Sequence, residues 1–160
     1  KGVTMKKAFA ALCAVLSLLL SGLPMAASGA PAEPAEIVIH LDETDPAVQP
    51  RLKYLVAIFT NLSITDGEAN CMANYSTAAS RRVQITMTLQ RCKTNSSNNS
   101  DWSEVETWVK SWYTPGTYIF SKDIAVSSGW YYRVQTVARV LDDSGATLEK
   151  VTLYSLVRQY

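Results

Sequence analysis

Val83-Gln84-Ile85-Thr86-Met87-Thr88-Leu89-Gln90 is the stretch that decides the fold class. An apolar side chain alternates with a polar one along its whole length. Period two puts Val83, Ile85, Met87 and Leu89 on one face of an extended chain and Gln84, Thr86, Thr88 and Gln90 on the other; a helix would scatter both sets around its axis. Val, Ile and Thr also suit a pleated, half-buried surface. The stretch is predicted to be a strand with one dry face and one wet one.

The same rhythm extends in both directions. Upstream, Ala69, Cys71, Ala73 and Tyr75 mark a second strand, and Leu52, Tyr54, Val56, Ile58, Leu62 and Ile64 are expected to share one face of a long first strand. Downstream, residues 102–113 and 118–126 give a fourth and a fifth. Tyr132, Val134, Thr136, Ala138 and Val140 mark the sixth, and residues 151–157 the seventh. Asp66-Gly67, Pro115-Gly116, Ser128-Gly129 and Ser144-Gly145 stand where hairpin turns are needed, since glycine admits the positive φ of tight connections. Lys93 to Asp101 (KTNSSNNSD) is a polar loop. Seven short strands at near-regular spacing predict an all-β, two-sheet Greek-key sandwich of antiparallel strands, with a closed barrel as the alternative. A domain of this size can bury a sufficient core without staples.

Before the domain the texture differs. Lys6 and Lys7 follow Met5, residues 8–20 carry no charge, and Ala26-Ala27-Ser28-Gly29-Ala30 supplies small residues. A basic start, an apolar middle and a small-residue exit match a secretory signal peptide. The apolar run is shorter than the ~20 residues a spanning helix requires, and no cysteine sits at the exit to take a lipid. Expected boundaries are therefore an upstream extension at 1–4, a signal peptide at 5–30 cut between Ala26 and Ala30, a Pro- and acid-rich linker at 31–50, and a β-sandwich domain at 51–160. Within the linker, Ile37-Val38-Ile39, ending at His40, reads as a stray edge strand. The C-terminal Val157-Arg158-Gln159-Tyr160 has no anchor or sorting tail, so a secreted, extracellular product is expected.

Removing residues 1–30 takes away Lys1, Lys6 and Lys7 and no acid, moving the formal charge from +1 to −2. A weakly acidic product with scattered charges excludes the basic face that nucleic acid requires, and argues against electrostatic binding to anionic membranes. Cleavage also removes Cys13 and leaves Cys71 and Cys92. Export favours a disulfide between them. Strand phase opposes it, because Cys71 falls with the inward Ala69 and Ala73 while Cys92 falls with Gln84 to Gln90. A bond would need a bulge or a broken strand end.

Several segments together carry a resemblance. They are Ser63-Ile-Thr-x-Gly67, Ala69-x-Cys71, Val83-Gln-Ile-Thr-Met-Thr-Leu-Gln90, Trp102-Ser-Glu-Val-Glu-Thr-Trp108 and Val126-Ser-Ser-Gly-Trp-Tyr-Tyr-Arg-Val134. From about Leu55 to Tyr160 the chain resembles a family of small secreted proteins of Gram-positive gut bacteria, each a signal peptide followed by one immunoglobulin- or fibronectin-III-like β-sandwich. That family has no assigned activity or active site, so the resemblance implies fold and export alone.

Candidate chemistry is sparse. His40 is the only histidine and lies in the linker, so a Ser/His/Asp or Cys/His arrangement would need it to fold back. One His and two separated Cys fall short of a zinc cluster. Glu104 and Glu106 share a strand face but alternate with Val105 and Thr107 as a wet face does, and Asp142-Asp143-Ser144-Gly145 reads as a turn rather than a glycosidase pair or a calcium loop. No enzyme activity, cofactor or metal is expected.

Aromatic residues are the strongest hint of binding. Trp102, Trp108 and Trp112 share a phase with Glu104, Glu106 and Lys110, while Val105, Val109 and Tyr113 take the other. If the valine face is the core, three tryptophans line an outer sheet surface suited to sugar stacking or a protein partner. If a bulge inverts the phase midway, Trp108 or Trp112 is a core tryptophan. The expectation is a core Trp108, with Trp102 and Trp112 as candidate contacts, joined by Trp130 and Tyr131 at a loop end. Tyr132 is expected to be a corner tyrosine hydrogen-bonded to nearby backbone. Three functions fit: a non-catalytic module binding an unknown extracellular protein or glycan, a carbohydrate-binding module using exposed Trp and Tyr, or a secreted effector or antimicrobial protein.

Overall fold

The computed structural model describes residues 37–40 and 52–160. The expected signal peptide and most of the linker lie outside them. The alternation that predicts the fold is realised in β4 (Arg82–Cys92), where Val83, Ile85, Met87 and Leu89 are all fully buried. On one side β4 pairs with β5 (Ser103–Trp112) and on the other with β7 (Tyr131–Leu141). Beyond β7 lies β8 (Thr147–Tyr154) and then β1 (Ile37–His40), the expected edge strand, which runs parallel to β8. The two-residue β9 (Arg158–Gln159) pairs with the start of β7.

The facing sheet has the order β2 (Leu55–Thr65), β3 (Glu68–Thr77), β6 (Gly116–Ala125), antiparallel throughout. The chain passes between sheets from β1 to β2, and again after β3, after β5 and after β6, which makes the fold a Greek-key, immunoglobulin-like sandwich. Its core joins Leu55, Ile58 and Leu62 of β2 and Ala69, Cys71, Ala73 and Tyr75 of β3 to the inward residues of β4, β7 and β8. A buried hydroxyl pair spans the gap, Thr136 Oγ1 donating to Thr60 Oγ1 at 2.9 Å.

Local chemistry fixes the connections. Asp66 and Gly67 both hold positive φ (51° and 81°) between paired Thr65 and Glu68, so the β2–β3 hairpin has the doubly left-handed two-residue turn that matches strand twist. The phenol of Tyr132 donates to Ser127 O at 2.8 Å and accepts from Ser127 N at 3.1 Å, forming the expected tyrosine corner. Glu149 of β8 reaches across to the start of β2, its carboxylate accepting from the backbone N–H of Lys53, Tyr54 and Leu55.

Two bulges alter the expected phases. A register shift between Leu55 and Ala57 turns Leu55 into the core and leaves Val56 exposed, so the first strand does not keep Val56 on the face of Ile58. On β5, Glu106 lies opposite Leu89 and Glu104 opposite Gln90, which leaves Val105 as an extra residue. One extra residue exchanges the two faces of everything beyond it. Trp108 and Trp112 therefore pack against the core, while Val109 and Tyr113 point out, 57% and 64% exposed.

Candidate binding site at one end of the sandwich

The outer tryptophan face anticipated as one alternative does not form. Trp112, a candidate contact, packs into an aromatic cluster, its ring centroid 5.2 Å from Tyr75, 5.4 Å from Tyr118 and 6.0 Å from Phe120. Lys110 lies over the Trp112 ring at 5.0 Å. Trp102 precedes the bulge and keeps the outer phase, yet it is only 7% exposed. Its Nε1 donates to Ser96 O in the polar loop, and the Arg133 guanidinium sits 4.3 Å from its ring.

Arg133 is itself buried between the rings of Trp102 and Tyr154, both at 4.3 Å, with its Nε donating to Gln90 Oε1 at 2.9 Å. Burial lowers its pKa, against the opposing influence of Tyr154 and Cys92. Trp130 is half-buried against the core and carries Lys93 Nζ at 3.5 Å and the Arg91 guanidinium at 4.5 Å. Tyr131 is half-buried on β7 beside β9. Trp102, Trp112 and Trp130 thus each hold a cation of this chain near the ring, as Tyr113 holds Arg82, an attraction of roughly 0.5–2 kcal/mol.

Cys71 and Cys92 are both buried and both free. Cys71 points into the core from β3, and its thiol is pushed up to about 12 by burial first and the Asp123 charge second. Cys92 keeps the outer phase and contacts Thr94 Oγ1 at 3.8 Å. The sulfurs take the opposite faces that regular strand phase assigns them.

Accessible chemistry collects at the opposite end of the sandwich, where the β3–β4, β5–β6 and β7–β8 connections meet. Ser80, Arg81, Arg82, Tyr113 and the turn residues Asp142 to Gly145 line a groove of about 390 Å³. The turn is self-supporting. Asp142 Oδ1 accepts from Ser144 N and Oγ and from Ala146 N, and Gly145 takes a φ of 86°. The Ser144 hydroxyl, then the Ala146 amide, hold the Asp142 carboxyl below the usual range. Asp143 is fully exposed and meets Arg81 Nη1 at 3.5 Å.

Arg82 is different. Its guanidinium stands 6.0 Å from the Tyr113 ring, and its Nε, like Arg91 Nε and Arg133 Nη2, is shielded from solvent without a hydrogen-bond acceptor. No carboxylate among the described residues lies within ion-pair distance of it. The groove therefore combines an exposed aromatic ring, a cation without an acidic partner, and two serines. Loops at the end of a rigid sheet scaffold commonly carry recognition. The composition of 80–82 and 142–145 signals only turns; their approach to Tyr113 depends on the β5 bulge and on long-range pairing.

A second opening lies between the edge strands β5 and β6, lined by Thr107 to Lys110 and Ile119 to Lys122, with a volume of about 600 Å³. Glu104 and Glu106 are both exposed, but the bulge between them sets them opposite Gln90 and Leu89 respectively, so they do not share the strand face expected from alternation. Among the described residues no group of three or more His, Cys, Asp and Glu side chains is placed to hold a metal, and no helix is long and apolar enough to cross a membrane.

No protein-family model matches the chain, and no curated protein matches it. Solved structures with a similar fold include β-glucuronidase 2 of Bacteroides uniformis (18% identity, TM-score 0.37, 61% of this chain and 12% of that one). They also include the sporulation control protein Spo0M of Bacillus subtilis (7% identity, TM-score 0.39, 65% and 50%), and the curli protein CsgC of E. coli (14% identity, TM-score 0.33, 61% and 94%). This chain spans about an eighth of the first and half of the second. The likeness is one of β-sandwich architecture.

Proposed function

We propose that this chain is a secreted, non-catalytic binding module that engages an extracellular protein or glycan through the loop end around Tyr113. The observation that carries the reading is the pairing of a 64%-exposed Tyr113 with Arg82, a cation without an acidic partner, in one groove. Exposed aromatics and arginines are the side chains most often found to dominate recognition surfaces. The basic and apolar segment at residues 5–30 and the resemblance to small secreted proteins support export.

A glycan platform built from Trp102, Trp112, Trp130 and Tyr131 finds less support, since Trp102 is buried and Trp112 and Trp130 pack against the core, whereas Tyr113 is 64% exposed. The test is a display of extracellular glycans and proteins probed with wild type and with Tyr113→Ala. Wild type is expected to bind a component of the display, and Tyr113→Ala to lose at least about tenfold of that affinity, as hot-spot truncations do. Undiminished binding by Tyr113→Ala would refute the assignment of the site.

A further inference from the structure

We infer that β5 is a self-pairing edge: residues 106–110 of two copies of this chain join antiparallel about a twofold axis, carrying the larger sheet from one molecule into the next. The inference goes beyond the loop-end reading and does not depend on it.

β5 ends the larger sheet. It pairs with β4 on one side, and among the described residues no strand pairs with it on the other. A free edge presents a row of backbone N–H and C=O groups that another strand can take up. This edge is open to solvent. Thr107 to Lys110 line the gap toward β6, a space of about 600 Å³, and Val109 is 57% exposed. The edge also carries two features that keep chance partners away, a bulge at Val105 and charged side chains on the inward phase.

Those charges decide the partner. Past the bulge, Glu106, Trp108 and Lys110 stand opposite the buried Leu89, Met87 and Ile85, so all three share the inward phase. Glu106 and Lys110 are exposed, and neither has an ion-pair partner among the described residues. Four positions apart on one strand, they are separated by about 13 Å and cannot meet each other. Glu106-Thr107-Trp108-Val109-Lys110 places an acid and a base symmetrically about a ring. In an antiparallel pair centred on Trp108, Glu106 of each copy faces Lys110 of the other, and Trp108 faces its counterpart. Opposite charges and aromatic rings directly across a strand pair are favourable, and like charges there are not. A two-residue slip sets Glu106 against Trp108 or Trp112 instead, and parallel pairing in register sets like charges side by side. The twofold axis closes the assembly at two copies.

β6, the other wall of the gap, lacks this symmetry. Its inward phase carries Tyr118, Phe120 and Ile124 with Lys122 as the single charge. Pairing confined to residues 106–110 buries less than the roughly 1,200 Å² of a standard interface, so the dimer is reversible, with a Kd on the order of 10–100 μM.

The test is sedimentation velocity of the full chain across a concentration series at low salt. Wild type is expected to pass from monomer to dimer. Glu106→Lys and Lys110→Glu each set like charges at both crossings and should weaken the dimer at least about tenfold. Mixed in equal amounts, the two variants restore opposite charges at both crossings and should dimerise as wild type does. Arg139→Glu, a charge reversal at an exposed position on β7, should leave dimerisation unchanged. Thermal melts confirm that each variant is folded.

A wild type that stays monomeric at about 1 mM would overturn the inference. So would association that neither reversal weakens, a mixture no tighter than its components, or an equal loss in Arg139→Glu.

Discussion

Two buried side chains in β3 carry measurable consequences at the scale of single residues. Tyr75 is fully buried with its phenol oxygen unpaired, and burial, followed by the neighbouring Tyr118, drives its ionisation above the usual range. Its ring stacks on Tyr118 at 5.3 Å and meets Trp112 edge-on, so the ring is needed and the hydroxyl is not. Tyr75→Phe is expected to raise stability by about 1 kcal/mol in urea unfolding, because it removes an unsatisfied polar atom and keeps the packing.

Cys71 responds to pH instead. Its thiol ordinarily loses its proton near 9.0 and holds it to about 12 in the fold. The unfolded chain therefore binds fewer protons between those values, and the contribution is complete below pH 9 and lost as pH rises toward 12. Urea midpoints measured across that range should fall more steeply for wild type than for Cys71→Ala; parallel curves would show that the thiol stays out of the linkage.

Among the elements, β5 and the start of β2 show what side-chain alternation conveys and what it cannot. In β3, β4 and β7 the inward residues are those that period two marks, because these strands have neighbours on both sides and no room to slip. On the edge strand β5 the extra residue at Val105 reverses the phase, and no property of Val105 announces it. The core position of Trp108 and Trp112 was open in the sequence for that reason. The bulge after Leu55 misplaces Val56 in the same way.

The Glu149 clasp lies beyond any local pattern, since it joins residues 94 to 96 positions apart. It holds the entry to β2, the point where one sheet is tied to the other. Glu149→Gln retains one carbonyl oxygen where the carboxylate offers two, and is expected to cost about 1–2 kcal/mol, lowering Tm by several degrees. A melt indistinguishable from wild type would show that the clasp contributes nothing in water.

For the whole molecule, class and layering were legible from alternation and turn glycines, as was the corner at Tyr132. The candidate site was not. Its lining comes from connections that look like ordinary turns, brought together by strand order, and its aromatic member faces outward only because of a bulge.

Conversely, Trp102 and Trp130 look like ligand platforms in the sequence because nothing local says that Arg133, Arg91 and Lys93 will occupy them. The proposed recognition surface accordingly lies at the Tyr113 end of the sandwich, where the ring is 64% exposed. The most direct test is amide chemical-shift mapping of the isotope-labelled chain during titration with the tightest-binding component of the display of extracellular glycans and proteins. Shifts confined to residues 80–82, 113 and 142–145 are the expected result. Shifts gathered at residues 93–101 and 127–131, or none at saturating ligand, would contradict it.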